Sequence, residues 1–113
     1  MRIALLGKGK TGSKVLELTK CDLTIFDSQN KPTLEKLKDH DMVISFLPGH
    51  VFLEYLPLLL DSKLPMVIGS TGVEFPVELD IQLKNNRMTW IYGSNFSLGV
   101  VLTKILIEKM NEY

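Results

Sequence analysis

Short runs of consecutive apolar residues alternate along this chain with longer stretches in which apolar residues recur at helical spacing. Arg2 to Leu6 is such a run, stopping at Gly7. A segment apolar on every position reads as a strand covered on both faces, as in a parallel sheet. Lys10 to Thr19 carries Val15, Leu16 and Leu18 and reads as a helix. Leu23 to Phe26 is a second strand ending at Asp27, followed by a polar loop from Ser28 to Pro32. Thr33 is positioned to cap a short helix in which Leu34 and Leu37 share a face, although Lys36 does not complete a capping box. Met42 to Phe46 is the third strand, before Pro48-Gly49. Val51 to Leu60 has helical length and content, with Pro57 expected to kink or limit it. Met66 to Ile68 is the fourth strand, Phe75 to Lys84 a helix with Pro76 in its first turn, and Met88 to Tyr92 the fifth strand. Leu98 to Met110 closes the pattern as a helix, with Leu102, Ile105, Leu106 and Lys109 helically spaced.

Five strands alternating with helices predict an α/β fold: a Rossmann-type, doubly wound parallel sheet with helices on both faces and right-handed crossovers. The 113 residues make one domain, 1–113, with no linker or repeat. Thirteen basic residues balance thirteen acidic ones, which gives no electrostatic footprint for nucleic acid or an anionic membrane. Cys21 is the sole cysteine, so no intrachain disulfide or cysteine-based zinc site can form, and it reads as a small apolar residue. His40, between Asp39 and Asp41, reads as loop surface; His50 reads as a solvated or capping residue; the pair lacks metal-ligand spacing, and no metal is expected. No signal peptide and no run of roughly 20 apolar residues is visible, so the expected location is the cytoplasm.

The first strand runs into Gly7-Lys8-Gly9-Lys10-Thr11-Gly12, a G-x-G-x-x-G turn that opens a helix. Alone the pattern is weak; the preceding strand, the following helix and an acid at the end of the next strand make it specific. Gly7 permits the tight turn, Gly9 lets a pyrophosphate approach the backbone, and Gly12 lets helix and sheet pack closely. The helix N-terminus offers unpaired N–H groups and partial positive charge, to which Lys8 and Lys10 add. Asp27 lies twenty residues after Gly7, where a carboxylate accepts hydrogen bonds from an adenosine ribose. No Gly-Lys-Ser/Thr triplet follows, which excludes a P-loop. The ligand expected is a small-molecule dinucleotide, NAD(H) or NADP(H). Asp27 tips the preference slightly to NAD(H), because it repels a 2′-phosphate, whereas Ser28 and Lys31 are placed to contact one.

Ligands of open α/β sheets sit at the carboxyl ends of the strands. The third strand ends in Ser45-Phe46-Leu47-Pro48-Gly49, the fourth in Gly69-Ser70-Thr71-Gly72, and the fifth in Gly93-Ser94-Asn95-Phe96-Ser97-Leu98-Gly99. Tight turns use such residues anyway. Three successive ends rich in them suit a long ligand laid across the sheet edge. No nucleophile–base pair with a supporting motif is present, so no catalytic residue is assigned in this chain.

Met1 through Gly12, then Gly69-Ser70-Thr71-Gly72, then Ser94 to Val100 resemble the N-terminal domain of bacterial dihydrodipicolinate reductase (4-hydroxy-tetrahydrodipicolinate reductase) over nearly the whole chain. Asn-Phe-Ser-Leu-Gly-Val is the more specific segment. The resemblance implies a nicotinamide that donates hydride to a cyclic, unsaturated dicarboxylate on the diaminopimelate route to lysine. It implies cofactor contacts at Gly7, Lys8, Gly9, Lys10, Thr11 and Gly12, at Asp27, at Gly69, Ser70 and Thr71, and at Gly93, Ser94, Asn95 and Phe96; Ser28 and Phe46, beside the ends of the second and third strands, complete the candidate cofactor contacts. It also implies use of both NADH and NADPH. Two positions depart from the family: Ser45-Phe46-Leu47 stands where Asp-Phe-Thr is common, and Val101 where Asn is common. The family's His-His and Lys catalytic motif and its tetramer contacts belong to a second domain with no counterpart in these residues, so the chain alone is expected to be monomeric, to bind dinucleotide and not to reduce substrate. Two other readings compete. One is a stand-alone dinucleotide-sensing module with an apolar docking patch, for which the leucines of Leu53 to Leu60 are available. The other is the cofactor half of an aspartate or homoserine dehydrogenase-like reductase.

Overall fold

The computed structural model describes residues 2–7, 22–69, 73–93, 101 and 105–109. Five strands form one sheet: β1 (Arg2–Leu6), β2 (Asp22–Phe26), β3 (Met42–Ser45), β4 (Met66–Ile68) and β5 (Trp90–Tyr92). Their order is β2-β1-β3-β4-β5 and every pairing is parallel. The expected α/β architecture is therefore present, with the chain reversing its direction of travel between β1 and β3. The helix expected over Lys10 to Thr19 and the residue Cys21 lie outside the described residues.

The consecutive apolar residues of the strands divide by pleat into two cores. Ala4, Leu6, Val43, Met66 and Ile68 face one side, where they pack with Phe26, Leu37, Phe52, Leu56, Leu59 and Leu79. Ile3, Leu5, Met42, Ile44 and Val67 face the other, where Leu106 and Ile107 of the helical segment 105–109 cover them. Each fully buried Leu, Ile or Phe contributes about 1.5–3 kcal/mol to burial.

Helix α1 (Leu34–Leu37) is capped as expected, the Thr33 hydroxyl accepting the Lys36 amide hydrogen at 3.2 Å. Helix α2 (Gly49–Ser62) exceeds its expected bounds and passes through Pro57. Pro57 removes one hydrogen bond to the carbonyl four residues back and crowds that carbonyl with its ring. It sits on the exposed side, while Phe52, Leu56 and Leu59 bury the opposite stripe. The leucines proposed for a docking patch are thus spent in the core: Leu53, Leu58 and Leu60 also pack against it. The chain leaves α2 through Lys63 in the left-handed region (φ 59°).

Helix α3 (Leu79–Asn85) starts later than the expected Phe75. Phe75 stacks edge-on against Phe52 and Tyr92, with centroids 6.1 and 4.9 Å away, and Pro76 disfavours helical backbone at the residue before it. His40 corrects a second expectation. It is 7% exposed, not loop surface; Nδ1 lies 2.8 Å from the Lys36 carbonyl and the ring meets Phe26 edge-on at 5.8 Å. Its Nε2 is buried without a hydrogen-bond partner among the described residues.

Candidate functional site

Strand register places the predicted site residues. Leu6 pairs with Phe26 on one side and Ser45 on the other, Ser45 with Ile68, and Ile68 with Tyr92. The next residue on each strand is therefore level with its neighbours: Asp27, Gly7, Phe46, Gly69 and Gly93, in that spatial order. Backbone bonds extend the ladder into this row. The Gly7 amide donates to Phe26 at 3.0 Å, Phe46 to Leu6 at 2.9 Å, Gly69 to Ser45 at 2.8 Å and Gly93 to Ile68 at 3.0 Å. At about 4.8 Å per strand the row spans roughly 19 Å, room for a ligand of two joined nucleotides.

Beyond the ends of β1, β2 and β3, beside the β1/β3 reversal, lies a cavity of about 290 Å³. Gly7, Asp27 and Ser28 line it together with Lys31 and Pro32 of the following loop. Leu47, Val51 and Tyr55 form the apolar wall opposite. Its size matches the low end of small-molecule pockets, about 300 Å³, and suits one end of a dinucleotide. Gly7 has φ +88°, and a Cβ there would stand 3.3 Å from both the Leu47 amide nitrogen and the Phe46 carbonyl carbon. Glycine is thus demanded twice, by the turn and by the close approach of the backbone beyond β3.

Asp27 organises its own loop. Its Oδ1 accepts the amide hydrogens of Gln29 and Asn30, each at 2.9 Å, and its amide donates to the Asn30 carbonyl at 3.1 Å. A carboxylate offers about four acceptor sites, enough to hold a turn and a sugar together. Among the described residues that line the cavity, the charged ones are Asp27 and Lys31.

Phe46 and Leu47 leave β3 toward opposite faces. Leu47 lines the cavity, whereas Phe46 joins the core across the sheet. A Cβ on Gly69 would fall 2.4 and 2.6 Å from Phe46 ring atoms. The bare face of Gly69 thus receives this ring. The predicted Lys8, Gly9, Lys10, Thr11 and Gly12, with Ser70, Thr71, Ser94, Asn95 and Phe96, lie outside the described residues. His50 is exposed at the start of α2 and does not line the cavity. The sequence reading missed Pro32, Leu47, Val51 and Tyr55. The four-residue spacing of Val51 and Tyr55, on the helix that follows the reversal point, was the available signal.

Fold and cavity define a class: a Rossmann-type α/β domain with a cavity beside its topological switch point. The model of the family described as "Dihydrodipicolinate reductase, N-terminus" matches residues 6–96. The chain belongs to that family. The curated 4-hydroxy-tetrahydrodipicolinate reductase of Blochmanniella pennsylvanica (strain BPEN) is 30% identical over 80 residues, covering 70% of this chain and 28% of that protein. The chain thus spans under a third of that relative's length. A crystal structure of CapF with the inhibitor 3-isopropenyl-tropolone superposes with a TM-score of 0.62 over 81% of this chain and 29% of the other; at 18% identity, the likeness is one of fold. Among the described residues, no helix is long and apolar enough to cross a membrane, and no cluster of metal-ligating side chains occurs.

Proposed function

We propose that this domain binds a nicotinamide dinucleotide across the row of strand ends, with adenosine in the cavity and nicotinamide toward Gly69 and Gly93. One observation carries the proposal: the glycine that starts the G-x-G-x-x-G turn and the carboxylate twenty residues later line the same cavity. Leu47, Val51, Tyr55 and Pro32 supply apolar surface for a purine, and Asp27 accepts hydrogen bonds from the ribose. Gly7 to Gly12 are assigned to the diphosphate, and Ser70, Thr71 and Ser94 to Phe96 to the far end. Bound in reduced form, the cofactor supplies hydride. The domain's own residues grip it, orient it and keep water from the purine. The name of the Blochmanniella relative makes that protein a 4-hydroxy-tetrahydrodipicolinate reductase. We assign this chain the cofactor half of that reaction, in lysine and diaminopimelate biosynthesis, with substrate-binding and proton-donating groups supplied from outside residues 1–113. Both cofactors are accepted, NADH slightly better, since Asp27 repels a 2′-phosphate while Lys31 attracts it.

Calorimetric titration with NADH and NADPH tests this. The wild-type chain binds NADH saturably. Asp27→Asn keeps an oxygen that can accept both loop amides but loses a charged bond of about 1.5–3 kcal/mol, so NADH binding falls roughly 10- to 100-fold and NADPH binding falls less. Absence of saturable binding at millimolar cofactor, or equal NADH affinity in wild type and Asp27→Asn, overturns the assignment.

A further inference from the structure

The cavity wall between Asp27 and Pro32 is a surface loop with no strand or helix of its own. Its shape is fixed instead by a chain of side-chain bonds. Asn30 Nδ2 donates to the Ile25 carbonyl at 3.1 Å, tying the loop back to β2. Lys36, one turn into α1, donates from Nζ to Asn30 Oδ1 at 2.9 Å and to the Lys31 carbonyl at 3.3 Å. The backbone of Lys36 is itself anchored at both groups: its amide donates to Thr33 and its carbonyl lies 2.8 Å from Nδ1 of the buried His40. A single ammonium thus joins the capped helix to the two loop residues that precede Pro32, beside the Lys31 side chain that lines the cavity.

We propose that Lys36 is a positioning residue for cofactor binding: it does not line the cavity, and it holds the loop 27–31 in the shape that lets Asp27 and Lys31 meet a nucleoside. This rests on the dinucleotide reading above. Asp27 Oδ1 pins the Gln29 and Asn30 amides, and the Lys36 ammonium holds the Lys31 carbonyl that follows them. The Lys36 bonds are exposed, so they add little to global stability. Their effect falls on the ordering the loop must otherwise undergo when ligand arrives.

The test is a double-mutant cycle read by NADH titration, with thermal unfolding alongside. Lys36→Met binds NADH about three- to tenfold more weakly, with a melting temperature within about 2 °C of wild type. Asn30→Ala, which leaves net charge unchanged, weakens binding at least as much. Adding Lys36→Met to Asn30→Ala then costs clearly less than Lys36→Met does alone, because the bond to Asn30 is already gone and only the longer one to the Lys31 carbonyl remains. If wild type binds and Lys36→Met binds equally well, the positioning role is refuted while the dinucleotide reading stands. An undiminished Lys36→Met loss in the Asn30→Ala background also refutes it, showing general attraction of an anion by a cation. No binding by wild type removes both.

Discussion

Replacing Gly69 by alanine separates two reasons for a glycine at the end of β4. If the residue is small only to admit ligand, alanine leaves the unliganded fold intact. The structure gives another reason: the added methyl would meet the Phe46 ring at 2.4 and 2.6 Å, against 3.4–4 Å for ordinary contact. The ring must retreat by roughly 1 Å, and it is packed with the core of Ile3, Leu5, Met42, Ile44 and Val67, where interiors tolerate little displacement. Overpacking of this kind costs about 1–3 kcal/mol. Near 2 kcal/mol the melting temperature falls by about 8 °C and the urea midpoint by about 1 M. Phe46→Leu shortens the side chain and costs about 1 kcal/mol alone. Combined with Gly69→Ala it leaves space for the methyl, so the double variant is about 1–2 kcal/mol more stable than the sum of the single losses predicts. Urea unfolding of the four proteins without cofactor measures this. Additivity within about 0.5 kcal/mol, or a Gly69→Ala variant as stable as wild type, refutes the packing argument.

Gly7→Ala places a side chain at φ +88° with backbone of residues 46 and 47 at 3.3 Å; a loss of about 2–3 kcal/mol in urea unfolding is expected, together with at least tenfold weaker NADH binding. A wild-type midpoint in that variant contradicts the stated geometry. His40→Leu forfeits the bond to the Lys36 carbonyl, about 1 kcal/mol, and removes an imidazole nitrogen that is buried without a partner among the described residues. The two effects offset, so stability stays within about 1 kcal/mol of wild type, and a loss above about 2 kcal/mol would show that Nε2 is satisfied.

The runs at Ile3–Leu6, Met42–Ile44 and Met66–Ile68 announced buried strands because each position must face one of two cores; no tertiary knowledge is needed when both faces are apolar. Thr33 announced its helix because a cap is a local bond. Gly7 and Asp27 were legible because motif spacing carries them. Register was not. That Asp27, Gly7, Phe46, Gly69 and Gly93 fall on one row depends on pairings between strands up to about forty residues apart, which no local pattern encodes. Phe75 left its expected helix for ring contacts with residues distant in the chain, and His40 went inside because Phe26 and α1 close over it. Local bonds and periodicity act between neighbours and can be read in order along the chain. Which side chain fills a glycine's empty face, and which ammonium steadies a distant loop, are set only once the sheet has assembled.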